Sequence, residues 1–217
     1  MKSINVAMLL AAGHSSRFNG STSKLLYKIK NKPLLAHSVD NLLKVVDKIV
    51  IVVNSKNHQH IKKIFNKNKR ISFIVNDIDE RLESINKGRL SFTDQNISNI
   101  IIQDAARPYV TVKMLDELLV SSQCYLYSQY YLNMINGLAI RDNNSYHIVD
   151  RSNYIETCNP LIIDYLLFNF LFARYIYPKD RISCEILPVI NKFNIPYNLI
   201  EGDRRLLRKV TTIKDIY

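Results

Sequence analysis

The chain has 217 residues, of which 47% are hydrophobic and 23% charged, which is typical of one globular domain with a sizeable core. Its formal net charge of +11 favours anionic partners such as nucleotides, sugar phosphates or nucleic acid, although solvated surface lysines explain much of such an excess. The cysteines Cys124, Cys158 and Cys184 are isolated from one another, which argues against a disulfide framework or a zinc site.

Strands and helices are predicted to alternate along the first half of the chain. Ile- and Val-rich runs typical of buried parallel strands lie at 4–12, 48–55 and 97–106. Apolar residues at helical spacing predict amphipathic helices at 32–46, with Pro33 at its start, at 80–92, and at 111–123, with Thr111 as N-cap. This alternation predicts an α/β fold, a Rossmann-like three-layer sandwich with a mostly parallel sheet. Ligands of such sheets bind beyond the carboxyl ends of the strands, here after Leu10, Val53 and Ile102.

A protruding β-hairpin is predicted from about 128 to 151, within a single domain that spans 1–217. Apolar and polar residues alternate there around Asp142-Asn143-Asn144, which is a hairpin signal. An aromatic-rich hairpin of this kind often serves as a dimer arm, so a homodimer is expected; the alternative is an edge hairpin folded back on the core.

The longest apolar stretch, 161–177, is predicted to be a buried helix. Asp164, Asn169 and Arg174 interrupt it, and a membrane span needs about 20 mostly apolar residues. The chain opens without a cleavable apolar segment, so no membrane association and a cytoplasmic location are expected.

The first loop begins with Ala11-Ala12-Gly13 directly after a predicted strand and leads to Arg17. Backbone N–H groups and an arginine at a strand end can hold a triphosphate, although a glycine after a strand more often marks only a turn. The loop lacks the residues of a Walker loop and of a dinucleotide-binding fingerprint.

Asp104 ends the third predicted strand, and Arg107 follows it closely. A carboxylate at that point is the expected ligand of a Mg²⁺ ion that bridges triphosphate oxygens, and an arginine can pair with a phosphate through two hydrogen bonds. The structural alternative is an ion pair that caps the strand end.

Two segments resemble known nucleotidyltransferases. The order Ala-Ala-Gly, Arg17, Lys24 and then Lys-Pro-Leu-Leu at the start of a helix resembles the enzymes that make nucleotide-diphospho sugars and polyols. The segment IIIQDAARP, at 100–108, closely resembles the 2-C-methyl-D-erythritol 4-phosphate cytidylyltransferase family, which also holds the ribitol 5-phosphate cytidylyltransferases.

Further segments extend this resemblance to nearly the whole chain: DERLESI at 79–85, IVDR ending at Arg151, and the C-terminal EGDRRLLRKVTTIKDI. The resemblance implies a Mg²⁺-dependent transfer of CMP from CTP to a small polyol phosphate, and it implies roles for individual residues. The implied catalytic residues are Arg17, Lys24 and Lys209. The implied nucleotide-binding residues are Ala11, Ala12, Gly13, Arg81, Ser84, Asp104 and Ala105. The implied acceptor-binding residues are Arg107, Arg151 and Asn159, and the implied metal ligand is Asp104.

Several positions depart from the family pattern. The Gly-Gly pair before the DER segment is Asp77-Ile78, the His before Asp104 is Gln103, and a threonine is replaced by Asn159. The nucleotide-side charges are largely kept while the acceptor-side hydroxyls are largely lost. Two alternatives therefore stay open: a related nucleotidyltransferase of the molybdopterin or sugar-phosphate type, and a non-catalytic nucleotide- or nucleic-acid-binding protein. Nucleic acid is the less favoured partner, because the tyrosines cluster in the predicted hairpin and the apolar stretch.

Overall fold

A computed structural model describes residues 3–13, 18, 23–93, 96–143, 145–175 and 186–216. Its centre is a seven-stranded sheet with strand order β11-β7-β10-β6-β1-β4-β5. The strands of this sheet are β1 Ile4–Ala11, β4 Lys48–Val53, β5 Ile71–Val75, β6 Ile97–Asp104, β7 Tyr127–Asn133, β10 Ile155–Asp164 and β11 Tyr197–Glu201. Only the pairings of β10, with β6 and with β7, are antiparallel. The mostly parallel sheet that the sequence predicts is confirmed.

Two smaller antiparallel pairs accompany the sheet: β2 Lys28–Ile29 with β3 Lys32–Pro33, and β8 Leu138–Asp142 with β9 Ser145–Val149. The α-helices of the described ranges are α1 Leu34–Leu42, α2 Ser55–Phe65, α3 Arg81–Leu90, α4 Val112–Ser121, α5 Tyr165–Arg174 and α6 Leu187–Lys192, and short 3-10 helices lie at Lys24–Leu26, Arg151–Asn153 and Ile213–Ile216. None of them is long and apolar enough to cross a bilayer.

Both faces of the sheet are covered, which makes the molecule a three-layer sandwich. Apolar residues of α1, α2 and α4 pack in one core, and those of α3, α5 and α6 pack in a second core on the opposite face. The central strands are apolar on both sides because both sides are buried. Local signals position the helices as predicted: Pro33 precedes α1, and the Thr111 side chain accepts a hydrogen bond from the Met114 N–H at the start of α4.

The predicted hairpin boundary at 128 is wrong. Residues 128–133 belong to β7, an interior strand that pairs with β10 and β11 and is largely buried. Alternating polarity suggests a half-exposed strand, but here the polar side chains of Ser128 and Gln129 are buried. The hairpin itself is formed by β8 and β9, and Asn143 takes the positive φ (28°) of its turn.

The predicted helix at 161–177 begins later than expected. Residues 161–163 complete β10 and pair with β6. The helix α5 starts at Tyr165, where the Asp164 side chain accepts a hydrogen bond from the Leu167 N–H at 2.8 Å. An apolar run fits a buried strand and a buried helix equally well, so periodicity could not separate the two.

Candidate active site

A polar cavity lies at the carboxyl ends of β1 and β6, as the strand order predicts. It is lined by residues 10–13 at the end of β1, by Lys24 and Leu25, by residues 78–81 and Ser84 around the start of α3, by Asp104 and Ala106 after β6, and by Lys209 and Thr211 near the C-terminus. Segments far apart in the sequence therefore meet at one edge of the sheet, which is where α/β sheets bind ligands.

Asp104 lies at the centre of this arrangement. The Lys209 Nζ is 3.0 Å from its Oδ2, the Arg107 Nε is 3.3 Å from the same oxygen, and the Arg81 Nε is 3.8 Å from Oδ1. The Asn159 side chain also donates from Nδ2 to Oδ1, at 3.3 Å. Three cations from different segments thus surround one buried carboxylate.

Burial opposes ionisation of the Asp104 carboxyl, yet the attraction of Lys209, Arg81 and Arg107 outweighs it and holds the pKa of Asp104 well below its usual range. The carboxylate is therefore charged at neutral pH. Because Lys209 keeps 46% of its side chain exposed, its ammonium can also contact a ligand in the cavity.

The segment 207–216, here called the C-terminal strap, carries Lys209 and Thr211 across the cavity. The Arg107 guanidinium donates from Nη1 to the Leu207 carbonyl. The Val210 N–H donates to the Ala106 carbonyl at 2.8 Å, and the Lys24 Nζ donates to the Val210 carbonyl at 3.1 Å. The strap is thus bound to the loop after β6 and to a predicted catalytic lysine.

A fully buried asparagine, Asn76, holds the part of the cavity lining that includes Ile78 and Ser84. The Asn76 Nδ2 donates to the Ile78 carbonyl at 3.0 Å and to the Ser84 Oγ at 2.9 Å, and its Oδ1 accepts from the Ile78 N–H at 3.3 Å. One side chain therefore joins the loop after β5 to helix α3.

Comparison with known proteins identifies the relationship. The family model described as IspD, 2-C-methyl-D-erythritol 4-phosphate cytidylyltransferase, matches residues 5–216. The chain belongs to this family. The match covers nearly the whole sequence, as the resemblance of its separate motifs implies.

Individual relatives support this relationship, and they align with different shares of this chain. The 2-C-methyl-D-erythritol 4-phosphate cytidylyltransferase of Dictyoglomus thermophilum is 27% identical over 225 aligned positions, which cover 97% of this chain and 93% of that protein. The bifunctional enzyme IspD/IspF of Pelagibacter ubique is 41% identical over 114 residues, which are 52% of this chain but only 30% of that longer protein.

Solved structures of the family share the fold. The 4-diphosphocytidyl-2C-methyl-D-erythritol synthase from Anaerococcus prevotii superposes with a TM-score of 0.77 at 17% identity, covering 99% of this chain and 95% of that chain. The bifunctional IspDF from Campylobacter jejuni also superposes with a TM-score of 0.77, at 23% identity. The match covers 98% of this chain and 53% of that chain. The fold predicted from the sequence is confirmed by this likeness.

Most of the predicted nucleotide-binding residues meet at the cavity. The lining includes six of them together with two predicted catalytic lysines: Ala11, Ala12, Gly13, Arg81, Ser84, Asp104, Lys24 and Lys209. Ala105 does not line the cavity; it is fully buried, and its N–H donates to the Leu10 carbonyl at 2.9 Å. Its contribution is to hold the loop after β6 against β1.

The predicted acceptor-binding residues do not line the cavity. Arg107 and Asn159 are buried behind Asp104, with their donors directed to that carboxylate and to the strap. Arg151 lies in the short turn after the hairpin and donates to the Ile135 carbonyl. Their contact with an acceptor stays a prediction, and the predicted catalytic residue Arg17 lies outside the described residues.

Sequence reasoning did not single out two buried asparagines that shape the cavity. Asn76 follows β5, and Asn54 follows β4 and donates from Nδ2 to the Ala12 carbonyl at 3.0 Å. Each comes directly after a buried strand, at the carboxyl edge where ligands bind. An asparagine at such a point can hydrogen-bond to local backbone. Its place directly after a buried strand is the sequence signal that could have identified both residues.

Proposed function

We propose that this protein is a cytidylyltransferase that transfers CMP from CTP to a small polyol phosphate of the 2-C-methyl-D-erythritol 4-phosphate or ribitol 5-phosphate type. The observation that carries the proposal is the convergence of Lys24, Arg81 and Lys209 on a cavity built around Asp104, in a chain of this family. Such a cluster suits a triphosphate, because phosphoryl-type transfer depends mainly on positioning and charge neutralisation.

In the proposed reaction, a phosphate oxygen of the acceptor attacks the α-phosphorus of CTP. A new phosphorus–oxygen bond forms, the bond from the α-phosphorus to its bridging oxygen breaks, and pyrophosphate leaves with the electron pair of that bond. The acceptor phosphate is already ionised at neutral pH, so this step requires no general base.

The cations have separate tasks in this proposal. Lys24 and Lys209, with Arg17, neutralise the charge that develops on the phosphorus centre and on pyrophosphate. Lys24 donates to the Val210 carbonyl, and its ammonium has further N–H groups with which it is proposed to contact the triphosphate. Arg107 keeps Asp104 and the strap in position, and together with Arg151 it is proposed to orient the acceptor.

A Mg²⁺ ion is proposed to reach the site together with the nucleotide. Mg²⁺ is usually held by one or two carboxylates plus substrate phosphates and water, and Asp104 would supply one ionised carboxylate when Lys209 turns from its Oδ2 to the phosphates. No group of three or more His, Cys, Asp or Glu side chains able to hold a metal is present among the described residues, so most ligands would come from the substrate and water. Bound there, the ion would polarise the phosphate oxygens and neutralise part of their charge.

The protein is also proposed to form a homodimer through its hairpin. Three large side chains of β8 and β9 are highly exposed: Ile140 at 51%, Tyr146 at 70% and Ile148 at 83%. Apolar groups concentrated on one projecting element are typical of protein interfaces. A second copy of the chain is the proposed partner.

A cytoplasmic location is proposed as well. Cys124 is exposed and Cys158 is buried, and both are free thiols. Unpaired cysteines are usual where the surroundings are reducing.

The decisive experiment measures pyrophosphate release with CTP and Mg²⁺ across a panel of polyol phosphates. GTP and UTP are each tested in place of CTP. We expect turnover with CTP and at least one polyol phosphate, and a loss of about 10²–10³ in rate for Lys24→Ala. Lys56→Ala, an exposed lysine on α2, is the matched control and should keep full activity. Near-full pyrophosphate release by Lys24→Ala would contradict the mechanism, and binding of CTP without any turnover would favour the non-catalytic alternative.

A further inference from the structure

Arg208 and Lys209 are neighbours in the C-terminal strap, but their cationic groups have different partners. The Lys209 Nζ lies 3.0 Å from the Asp104 Oδ2, at the cavity. The Arg208 guanidinium carbon lies 5.8 Å from the centre of the Tyr109 ring, and its Nη1 donates to the Asp215 carbonyl at 3.2 Å. Among the described residues, the cavity lining includes Lys209 but not Arg208. Arg208 thus binds the protein itself at the point where the next residue reaches the ligand cavity.

Tyr109 contacts both ends of the strap from the loop after β6. Its ring lies beneath the Arg208 guanidinium near the start of the strap, and its hydroxyl donates at 2.9 Å to the Ile216 carbonyl at the other end. The hydrogen bond from Arg208 to the Asp215 carbonyl joins the two ends directly. The strap is thereby closed on itself and held against the loop that follows Asp104.

An arginine can make both of these contacts at once. Its guanidinium is planar, so one flat face can lie over an aromatic ring while the N–H groups donate within the plane. A lysine ammonium is a compact charge on a flexible stem and has no such plane. A single arginine side chain can therefore fix the strap in two directions.

Two other contacts that hold the strap come from cations of the site itself. Lys24 and Arg107 both donate to strap carbonyls, and both are proposed above to contact a substrate phosphate. A bound substrate therefore competes for the same cations. The contact between Arg208 and Tyr109 uses neither of them, so it can hold the strap while they engage a ligand.

We propose that Arg208 is a positioning residue, which acts through Tyr109 and the Asp215 carbonyl to hold Lys209 where it meets the substrate phosphates. This role rests on the proposed function, because it requires a nucleotide that Lys209 contacts. Arg208 itself makes no contact with substrate in this proposal. The reaction then depends on a cation outside the cavity as well as on those that line it.

The test compares wild type with Arg208→Leu, Tyr109→Leu and Tyr109→Phe, by kcat/KM for pyrophosphate release and by the dissociation constant of CTP from calorimetry. Either leucine variant removes the contact, so both should lower kcat/KM about tenfold or more, since a small displacement of a catalytic group lowers the rate steeply. Both should raise the dissociation constant about threefold to tenfold, because the triphosphate loses part of its contact with Lys209. Tyr109→Phe keeps the ring and should lower kcat/KM about threefold or less. Wild-type values in either leucine variant would overturn the inference.

Arg205→Leu is the matched control. Arg205 lies just before the strap, keeps 84% of its side chain exposed and pairs with Asp203. The substitution removes the same charge from the same region as Arg208→Leu, so a general loss of positive potential would lower activity equally in both variants. We expect Arg205→Leu to keep the wild-type kcat/KM, and a loss equal to that of Arg208→Leu would contradict the positioning role.

Coupling to Lys209 separates positioning from a purely structural role. In the Lys209→Ala background, Arg208→Leu should change CTP affinity less than about twofold, because the group that Arg208 positions is already absent. The same loss in both backgrounds would overturn the positioning role, since neither a direct contact of Arg208 with the ligand nor a general destabilisation depends on Lys209. Should Arg208→Leu fail to fold, Arg208→Gln, which keeps an N–H donor but has no charge, takes its place in every comparison.

The outcomes separate the two proposals. Wild-type turnover that is unchanged in Arg208→Leu overturns this inference and leaves the proposed function intact. CTP binding by wild type without any turnover overturns the proposed catalysis, while a weakening of that binding in Arg208→Leu that depends on Lys209 still supports the positioning role. The absence of CTP binding by wild type overturns both.

Discussion

Asp104 has the most unusual surroundings of any single residue in the site. A lone carboxylate in the protein interior normally resists ionisation, but three cations and the amide of Asn159 favour the charged form here. The same carboxylate holds Lys209 at the cavity, so one residue sets both the local charge and the position of a predicted catalytic group.

Asp104→Asn is therefore expected to reduce both activity and stability. Substitution leaves three cations without their counter-charge, and we expect CMP transfer to fall by about 10²-fold or more. The free energy of unfolding should fall by about 1–3 kcal/mol, less than for a fully buried pair because Lys209 is half exposed. Turnover assays and denaturant titration measure these effects, and Asp40→Asn, which breaks an exposed pair with Lys32, is the control.

The sign of the pH dependence follows from the lowered pKa of Asp104. A carboxyl whose pKa is lower in the folded than in the unfolded state stabilises the fold above the unfolded value of about 4. The stability difference between wild type and Asp104→Asn should thus stay constant from about pH 5 to pH 8 and shrink as the pH falls further. A difference that disappears already between pH 6 and pH 7 would contradict the charged state assigned to Asp104.

Among the elements, the C-terminal strap contains a turn that is stabilised by hydrogen bonds to one carboxylate, that of Asp215. The Asp215 Oδ2 accepts from the N–H groups of Thr212 and Thr211, at 2.7 and 2.8 Å, and from the Thr212 Oγ1 at 3.1 Å. These backbone hydrogen bonds hold the pKa of Asp215 below its usual range. The strap can therefore keep Lys209 and Thr211 at the cavity with only one short 3-10 helix, Ile213–Ile216, among its described residues.

Asp215→Ala is expected to raise the KM for CTP several-fold, with a smaller effect on the melting temperature. Loss of the carboxylate frees three donors and loosens the segment that carries Lys209 and Thr211, while the core strands are untouched. Steady-state kinetics and thermal unfolding separate the two effects. Asp116→Ala, at an exposed position of α4, should behave like wild type; an unchanged KM in Asp215→Ala would show that the strap holds its position by other contacts.

The elements also show what sequence reasoning can and cannot reach. The strands ending at Ala11 and Asp104, and the capped start of α4, follow from local patterns, and the parallel order brings their ends together. The extension of β10 to Asp164 depends on pairing with β6, a contact made across more than 50 residues of sequence. A local apolar run does not show which distant strand will pair with it. The role of the buried Asn76 amide is likewise visible only in the fold, because it depends on the hydrogen bonds to Ser84 and Ile78.

At the scale of the whole molecule, the sheet order explains why the site draws on distant segments. Strand β1 lies between β6 and β4, so the loops after β1 and β6 are neighbours, and the chain returns after β11 to add the strap. The hairpin of β8 and β9 belongs to none of these layers. Its apolar side chains face solvent in the single chain, which is the basis for expecting a second copy there.

The dimer proposal predicts that Ile148→Asp shifts the protein to the monomeric state. Ile148 is 83% exposed, and a carboxylate at that position would have to be desolvated in an interface that the hairpin forms. Analytical ultracentrifugation across a concentration series should give a dimer for wild type and an affinity reduced by about tenfold or more for the variant. Val120→Asp, at a 64% exposed position of α4, should leave the dimer intact. A monomeric wild type, or an equal effect of both substitutions, would show that the hairpin is not the interface.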